Sequence, residues 1–125
     1  MTNETKVLSF AAGVEIGTGL VLMVVPVLAV ELLLGSKLSS DALPLCRVAG
    51  IAMLALGLAS WPSRAATERR ARAFWGMLAY NALVGLYLAH LGAFRHVTGL
   101  LLWPAVALHL VVALLLLWTS RRARS

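Results

Sequence analysis

VLSFAAGVEIGTGLVLMVVPVLAVELLL, residues 7–34, is the stretch that decides the fold of this chain. Between Val7 and Val30 its only charged residue is Glu15. The stretch is longer than the roughly 20 apolar residues that a helix needs to cross a bilayer. Because a charge in hydrocarbon is costly, such a residue usually has a partner or a task. The stretch therefore predicts a first membrane-spanning helix with Glu15 inside it.

A cleavable signal peptide is the alternative interpretation of this N-terminal stretch. Lys6 precedes the apolar run, and Val27-Leu28-Ala29 is a loose match to a cleavage site. However, the run exceeds the ~7–15 apolar residues of a typical signal core, and Glu15 would lie within that core. We expect the first helix to be retained.

Three further apolar blocks follow, at Leu43–Trp61, Phe74–Phe94 and Val97–Trp118. The chain has 125 residues, of which 61% are hydrophobic and 13% charged. A soluble protein carries about 25% charged residues. The connections are short, which leaves no room for a water-soluble domain. We predict one all-α domain, residues 1–125, with four transmembrane helices at about 7–34, 43–61, 73–93 and 97–119.

The basic residues predict the orientation of this bundle. Three lie toward one side: Lys37, Arg47 and Arg95. Eight lie toward the other, in the N-terminal tail, the connection after the second helix and the C-terminal tail: Lys6, Arg64, Arg69, Arg70, Arg72, Arg121, Arg122 and Arg124. Cytoplasmic segments carry the excess of Lys and Arg, so both termini are predicted to be cytoplasmic.

The net charge of +6 has a membrane explanation as well. Because the basic residues lie outside the apolar blocks or at their ends, we expect contact with the anionic lipid headgroups of the bilayer, and no nucleic acid. The nine arginines and two lysines suit a GC-rich bacterial genome. We therefore predict a multi-pass protein of the bacterial inner (plasma) membrane.

Three polar residues are predicted to lie at similar depth in the membrane. Counted at 1.5 Å per residue from the helix ends, Glu15, Asn81 and His109 fall within a slab of ~6 Å. Thr18 is one turn from Glu15 on the same face. Polar side chains in hydrocarbon turn toward the bundle interior and toward each other. These residues therefore form a candidate intramembrane polar or proton site.

Three interpretations of this cluster are open. It could be a neutral hydrogen-bonded group that holds helices in register. It could be a site that binds a proton reversibly, because a Glu–His pair can share one and Asn81 supplies a donor and an acceptor. The third possibility is that the residues do not touch. Glu15→Gln separates the first two, since an amide keeps hydrogen bonding but cannot titrate.

No cofactor or metal site is predicted. His90 and His109 suggest haem ligation, but they differ by roughly 14 Å in depth at 1.5 Å per residue, and two axial ligands must be level. His96 reaches the depth of His90, but at the interface. Cys46 is the only cysteine, which excludes an intramolecular disulfide and a CxxC site. Walker, GxSxG and HExxH motifs are missing too, so we predict no enzymatic activity.

Small residues predict a packing face on the first helix. Gly13 and Gly17 form a GxxxG pair, a spacing that lets helices approach closely. At 100° per residue they point about 160° away from Glu15. The first helix thus has a polar face and a close-packing face, and the latter is suited to a neighbouring helix or to a second copy of the protein.

Two family resemblances follow from these residues. Val14-Glu15-Ile16-Gly17-Thr18 resembles the first-helix glutamate motif of small multidrug-resistance transporters, over about five residues. That likeness implies a four-helix fold and a proton-binding role for Glu15. A broader pattern is similar to small uncharacterised bacterial inner-membrane proteins, loosely of the DoxX type, and implies no particular activity. It comprises Gly13–Leu20, Pro26, Arg47–Leu58, Ala79–Asn81 and Leu102–Ala105.

The sequence favours a non-enzymatic membrane component that associates with itself or serves as an accessory subunit of a larger membrane assembly. The alternative is a proton-coupled carrier or channel for a small molecule or ion. That alternative would use the cluster of Glu15, His109 and Asn81.

Overall fold

The computed structural model describes residues 2–62 and 67–122, with side chains for residues 2–62 and 71–121. Helices make up the secondary structure of this part of the chain. In chain order they are α1 (Asn3–Val24), α2 (Pro26–Leu34), α3 (Leu43–Ser60), α4 (Thr67–Phe94) and α5 (Leu102–Arg122). A 3₁₀ turn at Ser40–Ala42 precedes α3.

Four segments of the described chain are long and apolar enough to cross a membrane: Asn3–Val24, Ser40–Ser60, Ala71–Phe94 and Leu102–Arg121. The prediction of an all-α chain with four potential membrane-spanning helices is confirmed for these residues. Of the basic residues that predict the orientation, Arg64 and Arg124 lie outside the described chain. The same is true of the side chains of Arg69, Arg70 and Arg122.

The first predicted helix is two helices in the structure. α1 ends at Val24 and α2 begins at Pro26, because proline has no N–H to continue the hydrogen-bond ladder. The backbone of Val25 leaves the helical region there, with φ −131° and ψ 56°. Helix α2 ends at Leu34. The next residue, Gly35, caps it with a positive φ of 69°, the left-handed conformation typical of a helix C-terminus.

The last helix begins at Leu102, five residues later than the predicted start at Val97. The intervening segment packs on the C-terminal end of α2. The Leu101 N–H donates to the carbonyl of Leu32 over 2.8 Å. Gly99 is buried so tightly against Leu33 that a side chain at this position would collide with the α2 backbone. This tertiary contact holds the segment as a loop.

Two buried apolar groups show that α1 and α4 start at one end of the bundle and that α5 ends there. The first, which we call the terminal-end cluster, joins the start of α1 and α4 to the end of α5: Leu8, Ala11, Ala12, Phe74, Met77, Leu78, Val112, Ala113 and Leu116. The opposite-end cluster joins the end of α4 to the start of α5: Leu88, Leu102 and Val106. Leu33 of α2 packs against the opposite-end cluster. The described chain therefore begins and ends at the same end of the bundle.

Glycines set the closest contact between helices. α1 packs chiefly against α3, and α4 chiefly against α5. A Cβ on Gly19 would lie 2.6 Å from the carbonyl oxygen of Gly50, and one on Gly50 would lie 2.7 Å from that of Gly19. Since real side chains do not fit at such distances, the α1 and α3 backbones touch at these two residues.

Candidate functional site

Glu15 lies on the buried face of α1, in line with Ala11, Ala12 and Gly19. Only 1% of its surface is exposed. These residues are three or four positions from Glu15, so they share one side of the helix. The glutamate therefore points into the bundle rather than toward lipid.

Tyr80 of α4 is the hydrogen-bond partner of Glu15. Its hydroxyl donates to the carboxyl group. The second carboxyl oxygen, Oε2, is fully buried and has no hydrogen-bond partner among the described residues. Among the described residues, no other fully buried side-chain nitrogen or oxygen atom lacks a hydrogen-bond partner. Glu15 is thus half satisfied.

Asn81 and His109 form a second buried pair. The Asn81 side-chain oxygen Oδ1 lies 2.9 Å from His109 Nδ1. The Asn81 amide nitrogen donates to the carbonyl oxygen of Met77, one turn earlier in α4, over 2.9 Å. Both residues are buried, with 2% of Asn81 and 8% of His109 exposed. The pair fastens α4 to α5.

The two pairs meet at Tyr80. Tyr80 precedes Asn81 in α4, and its ring packs edge-on against the His109 ring, with 5.9 Å between centroids and 72° between planes. Along α4 and α5 the site lies between the terminal-end cluster and the opposite-end cluster. A polar group from three helices, Glu15, Tyr80, Asn81 and His109, is therefore enclosed between apolar layers.

The structure separates Thr18 from this group. Thr18 is exposed, and its hydroxyl donates to the backbone carbonyl of Val14 over 2.8 Å. Threonine often bonds the preceding turn of its own helix in this way. Of the predicted site residues, Asn81 and His109 are hydrogen-bonded to each other directly. Glu15 is joined to α4, the helix of Asn81, by Tyr80. Whether any of them handles protons stays a prediction.

Sequence reasoning missed Tyr80 as a member of the site. A signal was present, because tyrosine in membrane helices prefers the interface with water. Tyr80 instead directly precedes Asn81, which is predicted to lie near the middle of the membrane, and a buried hydroxyl usually needs a partner. Searching the predicted slab for every hydrogen-bonding side chain would have found it.

Gly13 and Gly17 lie on an exposed face of α1. Apart from the neighbouring residues and backbone of α1 itself, no atom of the described chain lies within 4 Å of the position where either would carry a Cβ. Gly19, which sequence reasoning did not single out, makes the close contact with α3 instead. The predicted GxxxG face is therefore open in the single chain.

The remaining histidines lie apart from the site. His90 is exposed and stacks at a tilt on Phe94, with ring centroids 5.2 Å apart, and His96 is exposed in the loop after α4. Among the described residues, no three His, Cys, Asp or Glu side chains lie close enough together to hold a metal ion.

Comparisons with protein-family models, with curated proteins and with solved structures give no match for this chain. The resemblances to small multidrug-resistance transporters and to DoxX-type proteins therefore remain predictions.

Proposed function

We propose that this chain is a small bacterial inner-membrane protein that binds and releases a proton at Glu15, as a proton-coupled carrier or channel for a small molecule or ion. The four apolar helices support the membrane assignment. The observation that carries the proposal is the buried Oε2 of Glu15, which has no partner among the described residues. His109 and Asn81 are the other polar residues of the proposed path.

A purely structural cluster would be expected to satisfy each of its buried polar atoms, because an unpaired polar group in an apolar interior costs about 1–3 kcal/mol and a charged one more. The Asn81–His109 pair meets this expectation, but Glu15 does not. A proton on the carboxyl removes the charge, and the charge is the larger part of the cost of burying this group. Glu15 is therefore better suited to changing its protonation state than to fixing helices, which shifts the balance from the packing interpretation to the proton-binding one.

Infrared difference spectroscopy of the full chain in liposomes tests this proposal directly. As the buffer is changed from alkaline to acidic, we expect the C=O stretching band of a protonated, buried carboxylic acid to appear reversibly. Glu15→Gln should lose this band and leave the helical amide bands unchanged.

Glu31→Gln is the matched control, since Glu31 is exposed near the end of α2. It should retain the buried-acid band. If the wild-type spectrum shows no pH-dependent carboxyl band that depends on Glu15, the proton-binding function is wrong. If the band is present and depends on Glu15, proton flux across the same liposomes distinguishes a carrier or channel from a site that binds a proton without moving it.

Self-association, or attachment to another membrane subunit, is the second candidate function. The open space beside Gly13 and Gly17 favours it, because small residues that face nothing within the chain leave room for another helix to approach. The two candidates are compatible, since this face lies opposite Glu15. We propose a non-enzymatic role in either case.

We further propose that both termini are cytoplasmic. The bundle brings the start of α1 and the end of α5 to one end, and the described basic residues Lys6, Arg72 and Arg121 lie toward that end. A reporter enzyme active only in the cytoplasm, fused after the last residue, should be active. A periplasmic reporter that is active at the same position would reverse the orientation.

A further inference from the structure

The hydrogen bonds of Asn81 determine which nitrogen of His109 carries its proton. In a carboxamide the nitrogen can only donate and the oxygen can only accept. Asn81 Nδ2 points at the carbonyl oxygen of Met77, an acceptor, over 2.9 Å. Its Oδ1 must then be the atom that faces His109 Nδ1, also at 2.9 Å. An acceptor opposite Nδ1 requires a proton on Nδ1.

The opposite orientation of the amide is unfavourable. It would place Oδ1 against the Met77 carbonyl, so that two acceptors faced each other, and the bond to the α4 backbone would be lost. Asn81 is 2% exposed, so water is not at hand to replace that bond. The helix backbone therefore fixes the amide, and the amide fixes the imidazole.

We propose that Asn81 holds neutral His109 as the Nδ1–H tautomer and so makes Nε2 the acceptor atom of a second proton-binding site, separate from Glu15. The ligand is a proton taken up at Nε2, which gives an imidazolium with an N–H on both nitrogens. Asn81 is the positioning residue. This inference deepens the proposed function and rests on it only in assigning the second site to proton movement.

The surroundings connect this site to the first one. The titratable side chains linked to His109 are Tyr80, through the ring contact, and Glu15, through the Tyr80 hydroxyl. On α3, the titratable Cys46 and the charged Arg47 lie near the helix start, one turn from Leu43. A proton on His109 would thus place a positive charge on one side of Tyr80 and the Glu15 carboxyl on the other.

Solid-state NMR of the full chain in lipid bilayers, with ¹⁵N-labelled histidine, tests the proposal. At alkaline pH we expect His109 to show a protonated Nδ1 and an unprotonated Nε2. On acidification Nε2 should gain a proton while Nδ1 keeps its own. His109→Gln identifies the signals by their loss, and the exposed His90 and His96 serve as internal references.

The wild-type spectrum alone can overturn the proposal: it does so if neutral His109 carries its proton on Nε2. Asn81→Asp with a protonated carboxyl can still donate its O–H to the Met77 carbonyl while its C=O oxygen accepts from Nδ1, so this variant should retain the Nδ1–H form. Asn81→Leu removes the acceptor and should lose the preference for that form. Retention of the Nδ1–H form in Asn81→Leu would show that Asn81 does not set the tautomer.

The infrared and NMR experiments distinguish an error in the His109 tautomer from an error in the proton site at Glu15. The infrared band of Glu15 reports its own protonation, whichever tautomer His109 adopts. If that band behaves as expected but His109 carries its proton on Nε2, only the second site is wrong. If the tautomer is as proposed but Glu15 shows no band, the tautomer assignment holds and its link to proton movement is lost.

Discussion

At the scale of single residues, Tyr80 is the member of the polar group that contacts both Glu15 and His109. Its hydroxyl bonds the carboxyl of Glu15, and its ring packs against His109. One side chain therefore performs two separable tasks, a hydrogen bond across to α1 and an aromatic contact across to α5. Removing the hydroxyl alone tests the first without disturbing the second.

Tyr80→Phe is predicted to leave Glu15 with two unpartnered carboxyl oxygens. The loss of one buried hydrogen bond should lower the free energy of unfolding by about 0.5–2 kcal/mol, since such bonds between membrane helices contribute about 0.6 kcal/mol on average and a buried group left unpaired costs more. Denaturant titration in mixed micelles, followed by circular dichroism, measures the change. Tyr87→Phe is the control, because Tyr87 is on the same helix but 62% exposed. Equal effects of the two variants would contradict the prediction.

Depth counting predicted three of the residues of this site but not how they pair. The constant rise of a helix gives the height of Glu15, Asn81 and His109 in the membrane. It does not give the rotation of each helix about its own axis, which depends on packing against its neighbours. That rotation turns Tyr80 toward α1 and leaves Thr18 exposed.

At the scale of helices, the backbone contact of α1 with α3 positions the first half of the site. Gly19 lies one turn after Glu15 and touches Gly50 of α3. This contact fixes the rotation of α1, and the same rotation directs Glu15 away from lipid. Close packing and carboxyl burial are therefore consequences of one arrangement.

Gly50→Ala is predicted to push these two helices apart. The added Cβ would lie 2.7 Å from the Gly19 carbonyl oxygen and 3.0 Å from the side chain of Leu22, so the backbone must move. We expect a loss of about 1–3 kcal/mol in the free energy of unfolding, typical of overpacking. The same micelle titration measures it.

Gly76→Ala is the matched control for this substitution, because nothing lies within 4 Å of its Cβ position on α4. Because glycine favours the helix less than alanine does, Gly76→Ala should leave the free energy of unfolding unchanged or raise it by up to about 1 kcal/mol. A Gly50→Ala protein as stable as the control would show that the helices are not in backbone contact there.

The four membrane-length segments were predictable from the sequence, but the division of the first into two helices and the start of the last were not. Runs of apolar residues identify the spans because the bilayer sets a minimum length. The break at Val25 and the late start of α5 have different causes. Pro26 signals a disruption, but its sharpness depends on where α2 packs. The loop before Leu102 is held by Leu32 and Leu33, which are distant in sequence.

At the scale of the whole molecule, the single chain leaves much apolar surface uncovered. On α3 the exposed side chains include Leu45, Val48, Ile51 and Leu58. In a membrane, lipid can cover such residues without cost, so exposure alone does not indicate a partner. The open glycine pair on α1 is more specific, because it provides a groove in which a second backbone can approach.

Gly17→Leu is predicted to reduce self-association by filling this groove. In mild detergent we expect the wild type to be at least partly dimeric and the variant to be monomeric, as measured by light scattering coupled to size-exclusion chromatography. Gly76→Leu is the control, since Gly76 is equally open but lies on α4. A monomeric wild type, or dimer loss in both variants, would argue against the Gly13–Gly17 face as an interface.

The pairing of the helices has one more consequence. α1 with α3 and α4 with α5 form two halves, and Glu15 belongs to the first while Tyr80, Asn81 and His109 belong to the second. The hydrogen bond between the Tyr80 hydroxyl and the Glu15 carboxyl thus connects the two halves across their interface. If Glu15 binds and releases a proton as proposed, each change alters this hydrogen bond and with it the strength of the contact between the two halves. On this proposal, a chemical change at one atom would loosen or tighten the contact between two pairs of helices.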